Sequence, residues 1–358
     1  MYKFKKFVKI LFSKVFLLIV FAAFLLSIFF YWGWYERQYD KGLGMYYVYK
    51  GDKAYQQRDL QKAIGYYNTA LEVFPSHYGA RLNLGNIFVV YEDYYAAADS
   101  YEKAIEYNKN FSEARMNLGI VLSEKIGDFD SAISQYQAII NSKPRVFSIP
   151  FIFDNKKSER INRGLAYYNM GIAYRQKALY LEDDQDKEEK AAMFLRKAIG
   201  AYKNAVRILK SDYDSRYNLA LAYHLVGNYQ KAGLTYCEAI DIEPMNYEAH
   251  YNLAILLRHL RMYQEAKEEL EKASILISST HSDSYTSRYI FDVLNEVTHN
   301  ALYRTEYEHL REKIDDEPSY AQKVAYVHGK IVASDELDKA MIKNFRNCRT
   351  KKLFKDYE

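Results

Sequence analysis

Residues 213–246 read YDSRYNLALAYHLVGNYQKAGLTYCEAIDIEPMN, and residues 78–111 read YGARLNLGNIFVVYEDYYAAADSYEKAIEYNKNF. Laid side by side, Asn218-Leu219-Ala220 falls on Asn83-Leu84-Gly85, and Ala232, Tyr236 and Ala239 fall on Ala97, Tyr101 and Ala104. The period is 34 residues. Working outward, the same places hold Ala63, Tyr67 and Ala70, then Ala132, Tyr136 and Ile139, then Ala198, Tyr202 and Ala205, then Ala266, Leu270 and Ala273. The upstream triplet recurs as Asn117-Leu118-Gly119, Asn169-Met170-Gly171 and Asn252-Leu253-Ala254. A repeat of this period has to be settled before any single site is argued, because each unit buries its apolar face only against its neighbours.

Within each unit, apolar residues recur every three or four positions in two stretches, with a break at Gly127-Asp128 or Gly227-Asn228. That pattern predicts two short helices per unit. Small residues at Gly85 or Ala220 and at Ala97 or Ala232 let the pair approach closely, and Pro75, Pro144 and Pro244 stop the second helix. On these residues the chain resembles the tetratricopeptide repeat (TPR) family. The resemblance implies an all-α fold, a right-handed α-solenoid of about six helix–turn–helix units over 44–278. The units are 44–77, 78–111, 112–145, 163–211 with an insertion, 213–246 and 247–279. The Trp usual at the start of the first helix is replaced by Arg81, Arg115, Tyr167, Arg216 and His250.

The formal charge of +4 describes no one part of the chain. Lys3, Lys5, Lys6, Lys9 and Lys14 precede the first acid, Glu36; residues 36–338 hold 38 basic against 44 acidic residues; residues 339–358 hold seven against two. No broad basic face exists, so a nucleic-acid partner is not expected. Val15–Trp34, VFLLIVFAAFLLSIFFYWGW, carries no charge over twenty residues. As a helix it reaches about 30 Å, the thickness of a bilayer core. Bulky aromatics fill its exit where a signal peptide would have small residues, so residues 15–35 read as an uncleaved transmembrane anchor after a basic leader, 1–14. The leading lysines place the N-terminus in the cytoplasm and the array across the membrane, a bacterial inner membrane being the expected one. Residues 146–162 read as an inserted loop, and 175–197 as a lengthened hairpin with an acidic centre at 182–186 that lacks the spacing of a calcium loop. Residues 280–358 read as C-terminal capping helices ending in a basic amphipathic helix at about 335–354.

No HExxH, GxSxG or GxxxxGK[ST] occurs, and the eight histidines are scattered. An enzyme, a metal and a cofactor are therefore not expected. Cys237 and Cys348 stand 111 residues apart, outside any C-x-x-C pair; they make no disulfide framework, and Cys237 reads as a small core residue. In TPR proteins the first helices line a concave groove, and the resemblance places Asn83, Asn117, Asn169, Asn218 and Asn252 there. A carboxamide offers both donor and acceptor, so this ladder suits the backbone of an extended peptide; capping or bridging of neighbouring units is the competing reading. The preceding position adds Tyr168, Tyr217 and Tyr251 as packing faces, after Leu82 and Met116. The carboxylate-gripping positions of chaperone-binding members correspond here to Val48, Asp52, Asn83, Glu113 and Asn117. Asp52 and Glu113 would repel a carboxylate, so chaperone-tail binding in the first three units is disfavoured. The expected function is a membrane-anchored scaffold that binds a protein or peptide in its groove to assemble a membrane or envelope complex. Two alternatives are an accessory subunit of a glycan-synthesis or secretion machine and a structural component that self-associates into a homo-oligomer.

Overall fold

A computed structural model describes residues 2–142, 148–149, 153–181, 186–279, 290, 293–294, 326–327, 330–331, 348 and 350–355. The chain divides into two compact units, Met1–Ile126 and Gly127–Glu358, which are taken in turn.

The first unit opens with α1 (Tyr2–Gln56), whose last turns pair with α2 (Leu60–Val73) as the first helical hairpin. Helices α3 (Tyr78–Val90) and α4 (Tyr94–Tyr107) make the second hairpin. Helix α5 (Ser112–Val121) continues into one π-helical turn, Leu122–Ile126. In α1 the arms Lys14–Phe29 and Tyr31–Gln56 meet at 65°, and only together do they reach the length and composition of a span. No single helix among the described residues is long and apolar enough to cross a membrane. The first arm is nevertheless apolar on every side and uncovered, with Leu18 66% and Phe29 77% exposed.

The second unit begins with α6 (Phe129–Asn141). A two-residue ladder of β1 (Ser148–Ile149) and β2 (Phe153–Asp154) follows, and α7 (Asn155–Leu179) starts directly after it. The segment expected as a loop through residue 162 is thus helical from Asn155 onward. Helix α7 pairs with the long α8 (Lys187–Ile208), the lengthened hairpin. Two further hairpins are α9 (Tyr213–Leu225) with α10 (Tyr229–Ile242) and α11 (Tyr247–His259) with α12 (Tyr263–Ser279). A second two-residue ladder, β3 (Tyr326–Val327) with β4 (Lys330–Ile331), and the short α13 (Lys351–Lys355) complete the described elements. Most of the expected C-terminal helices lie outside the described residues. So does the acidic hairpin centre, except Asp186.

Two local rules generate these hairpins. In five hairpins a residue two places before the second helix enters the left-handed region: Arg58, Glu92 and Arg261 near +60°, Gly127 at +84° and Gly227 at +74°. The next residue then caps that helix, as Asp59, Asp93, Asp128 and Asn228 each accept a backbone N–H three residues on. Across three of the hairpins a buried tyrosine lies against a glycine of the first helix. A Cβ on Gly51, Gly85 or Gly171 would stand 2.5–2.6 Å from the ring of Tyr67, Tyr101 or Tyr202. These rings are at most 1% exposed, and with Tyr136 and Tyr236 they are the largest fully buried side chains. Burying each contributes roughly 2–3 kcal/mol, which outweighs the ~1 kcal/mol that a helical glycine costs.

The missing tryptophans have a structural replacement. Arg81 donates to the carbonyl of Pro75 (3.0 Å), Arg115 to that of Lys109 (2.9 Å) and His250 to that of Pro244 (3.0 Å). A polar side chain at this place therefore satisfies a carbonyl that the preceding helix leaves unpaired at its end.

Candidate functional site

The asparagine ladder lies on the first helices, and the amide nitrogens of Asn83, Asn117, Asn218 and Asn252 are engaged within the array. In the first unit Asn83 Nδ2 donates to Asp52 Oδ1 (2.9 Å) and Tyr67 Oη (3.3 Å), while Tyr67 Oη donates to the same Asp52 oxygen (2.8 Å). One period later Asn117 Nδ2 and Tyr101 Oη both donate to Asn86 Oδ1, at 2.9 and 2.8 Å. Each knot joins an acceptor and a phenol of one repeat to the carboxamide of the next. Burial, offset in part by Asn117, pushes the Tyr101 phenol up to about 12. Tyr67 is raised further, by burial and by its bond to the Asp52 carboxylate. Both phenols stay protonated and donating at any ordinary pH.

The second unit builds the same bridge from different atoms. Asn218 Nδ2 donates to Tyr168 Oη (3.3 Å) and to the carbonyl of Asp214 (2.9 Å). Asn252 Nδ2 donates to Tyr217 Oη (2.9 Å) and to the carbonyl of Glu248 (3.0 Å). The tyrosine that precedes the asparagine in one repeat thus accepts from the asparagine of the next. Tyr168 and Tyr217 also pack on the buried Tyr202 and Tyr236, with ring centroids 6.2 Å apart in both pairs, and Tyr217 stacks on Tyr213 at 5.8 Å. Asn169 and Tyr251 are half-buried, and Tyr251 packs against the cluster of Ala254, Leu270 and Ala273.

The bridging role therefore takes up one half of each carboxamide. The oxygens of Asn83, Asn117, Asn218 and Asn252 accept no bond from a described residue, and an oxygen of this kind can take a backbone N–H. Asp52 and Asn86, the acceptors at the centre of the first two knots, lie three residues after Tyr49 and Asn83; the 34-residue spacing was the available signal for them.

A second feature had no sequence signal beyond the two cysteines. Cys237 on α10 and Cys348 form a disulfide, 111 residues apart. Around it, Phe354 of α13 is fully buried and lies so close to Gly233 that a Cβ there would stand 2.4 Å from its ring; Lys351 Nζ pairs with Asp241 at 3.0 Å. Gly233, Cys237 and Asp241 are spaced by four, so α13 lies along one stripe of α10. Cys237 is a core residue, as expected, and one end of a staple as well. Among the described residues no group of three or more His, Cys, Asp or Glu could hold a metal ion.

Family models for the tetratricopeptide repeat match residues 50–94 and 91–145, and again 213–246 and 247–274. The chain is similar to three solved structures. PilW, described as a widely conserved type IV pilus biogenesis factor, is 13% identical, with TM-score 0.49, covering 66% of this chain and 93% of that one. PilF of Pseudomonas aeruginosa is 13% identical, with TM-score 0.46, covering 75% and 98%. YrrB, described as a TPR protein with an unusual peptide-binding site, is 24% identical, with TM-score 0.40, covering 57% and 88%. No curated protein matches the sequence. Residues 50–145 and 213–274 are thus tetratricopeptide repeats.

Proposed function

We propose that this scaffold is anchored in a membrane by its N-terminal helix and binds an extended polypeptide along its first helices, so assembling a membrane or envelope complex. The observation that carries the binding reading is the repeated carboxamide whose nitrogen is fixed and whose oxygen is unused. A row of pre-oriented acceptors adds modest contacts along one strand of ligand, with little side-chain entropy left to lose.

The anchor reading is supported by the Val15–Phe29 arm, exposed and apolar on all sides, a surface that water does not suit. The disulfide supports an oxidising side for the array, and the five leading lysines support the same orientation, with the N-terminus cytoplasmic.

Site-specific photo-crosslinking in native membranes tests the groove. Benzoylphenylalanine at Met116 or Tyr217, on first helices, should capture a defined polypeptide that the same probe at Lys103 or Lys203, on second helices, does not. Capture only from the second-helix positions, or none from Met116 and Tyr217, would count against groove binding.

A further inference from the structure

The second arm of α1 has two unlike sides. Gly44, Gly51 and Ala54 are buried against α2; a Cβ on Gly44 would stand 2.6 Å from Phe74, and one on Gly51 2.5 Å from the ring of Tyr67. About half a turn around the helix runs a stripe of tyrosines, Tyr31, Tyr35, Tyr39, Tyr46 and Tyr49, each at least 44% exposed, with the exposed Gly42 between Tyr39 and Tyr46. Tyr31 and Tyr49 are five turns of 3.6 residues apart, so the stripe keeps one direction over about 27 Å. The charges of Glu36, Arg37 and Asp40 fall on the glycine side. Lys50 flanks the stripe, its Nζ 4.6 Å over the Tyr46 ring, and Lys53 ends it one turn beyond Tyr49.

A face built of tyrosine differs both from a packed core and from an ordinary wet surface. Each ring is apolar and ends in a hydroxyl, the combination that suits the level of lipid headgroups. Leu, Ile and Val, which a partner helix would bury, are absent from the stripe. Two features bring it to a membrane. It begins two residues after Phe29, where the uncovered apolar arm ends, so it continues the surface read above as the anchor. The second arm also leaves the first at 65°. Above an upright span it runs about 25° from the membrane plane, and an ordinary span tilt of about 20° is enough to bring it almost parallel. A straight continuation would instead carry Tyr49 about 27 Å beyond Tyr31, out into water.

We infer that the tyrosine stripe of α1 lies in the headgroup layer of the bilayer, and that this arm is an interfacial helix which holds the first hairpin against the lipid surface. The inference rests on the anchor reading above and adds to it the face that the first repeat presents to the membrane. With the rings among the headgroups, the glycine side and α2 point away from the bilayer, and the hairpin meets the lipid through α1. Lys50 and Lys53, at the far end of the stripe, bring cations to the level of the lipid phosphates.

The test uses the full chain, with Cys237 and Cys348 paired, in vesicles of phosphatidylethanolamine and phosphatidylglycerol, carrying one nitroxide label at a time. Gly42→Cys puts the label in the stripe, where an added Cβ meets nothing within 4 Å and no tyrosine is lost. Gly65→Cys, equally uncrowded on α2, reports the water side, and Leu25→Cys reports the apolar arm. Power-saturation spectra with oxygen and with a water-soluble nickel chelate read the depth of each label. The label at Gly42 should be at least about threefold less accessible to the chelate than that at Gly65, and more accessible to oxygen. Tyr35→Ser, Tyr39→Ser and Tyr46→Ser together should return it to the Gly65 level while the Leu25 label stays in hydrocarbon. A Gly42 label as wet as Gly65, with Leu25 in lipid, overturns the interfacial helix and leaves the anchor reading standing. Leu25 in water overturns both. Shielding of Gly42 with spin–spin broadening that vanishes on dilution with unlabelled chain would put a second copy on the stripe and overturn the lipid contact. Shielding that survives the triple change overturns the assignment to these tyrosines.

Discussion

Asn117 donates its amide hydrogen to Oδ1 of Asn86, 31 residues earlier, and the bond of 2.9 Å ties the first helix of one repeat to the first helix of the next. The same oxygen receives the phenol of Tyr101, so a single acceptor holds two donors from two different helices. Asn86→Leu should therefore destabilise more than the loss of either bond. It leaves a fully buried phenol unpartnered, at about 1–3 kcal/mol. Thermal unfolding of the variant, with Asn86→Gln as a partial rescue, measures it; an unchanged midpoint would show that the knot contributes nothing.

The opposite sign is expected in the second unit. Tyr236→Phe removes a buried hydroxyl that has no partner, so the chain free of peptide should gain up to about 1 kcal/mol, whereas Tyr101→Phe should lose a similar amount. Paired melting curves decide this, and a loss in both would mean that Tyr236 has an acceptor after all.

The left-handed residues offer a second contrast. Glu92 and Arg261 hold positive φ with a side chain, at a strain of about 1–2 kcal/mol. Glu92→Gly should raise the melting temperature modestly, because relief of that strain exceeds the added freedom of the unfolded glycine, and Gly227→Ala should lower it. A drop on Glu92→Gly would argue that its side chain makes a contact worth more than the strain.

His250 and Glu269 set an acid limit. Burial by itself would raise the Glu269 carboxyl, but the bond and charge of His250, 2.6 Å away, together with Lys272, hold it below its ordinary 4.5. A depressed carboxylate contributes stability that is fully present above that value and is lost as the pH falls through the folded one. Melting temperatures should fall on acidification below about 4.5 in the wild type and less steeply in Glu269→Gln. Parallel slopes would assign the acid loss to other groups.

The Cys237–Cys348 staple should appear as faster migration on a non-reducing gel. Maleimide labelling of the chain should require both denaturant and reductant, since Cys237 is fully buried. Cys348→Ser should cost about 2–4 kcal/mol, and Phe354→Ala a comparable amount by emptying the slot over Gly233. Free thiols in the native chain would refute the bridge and remove its support for an oxidising compartment.

The sequence by itself determined the array: two helices to a repeat, the break at Gly127-Asp128 and Gly227-Asn228, and that Tyr67, Tyr101, Tyr136, Tyr202 and Tyr236 fill its interior, though not that the segment before residue 162 is helical from Asn155. Those features are local. A small residue, a ring that needs a flat neighbour and a capping Asp or Asn recur every 34 residues, because each repeat solves the same burial problem. Only the tertiary structure decided what the ladder's atoms do. Whether Asn117 meets Asn86, or Asn218 meets Tyr168, depends on how one helix settles against another, and the alphabet of a first helix reads the same in either case. The staple across 111 residues and the unpartnered hydroxyls of Tyr202 and Tyr236 are of that second kind. Periodicity records which side of a helix is buried. It does not record which polar atom, brought close by packing of distant segments, ends up with a partner and which is left without one.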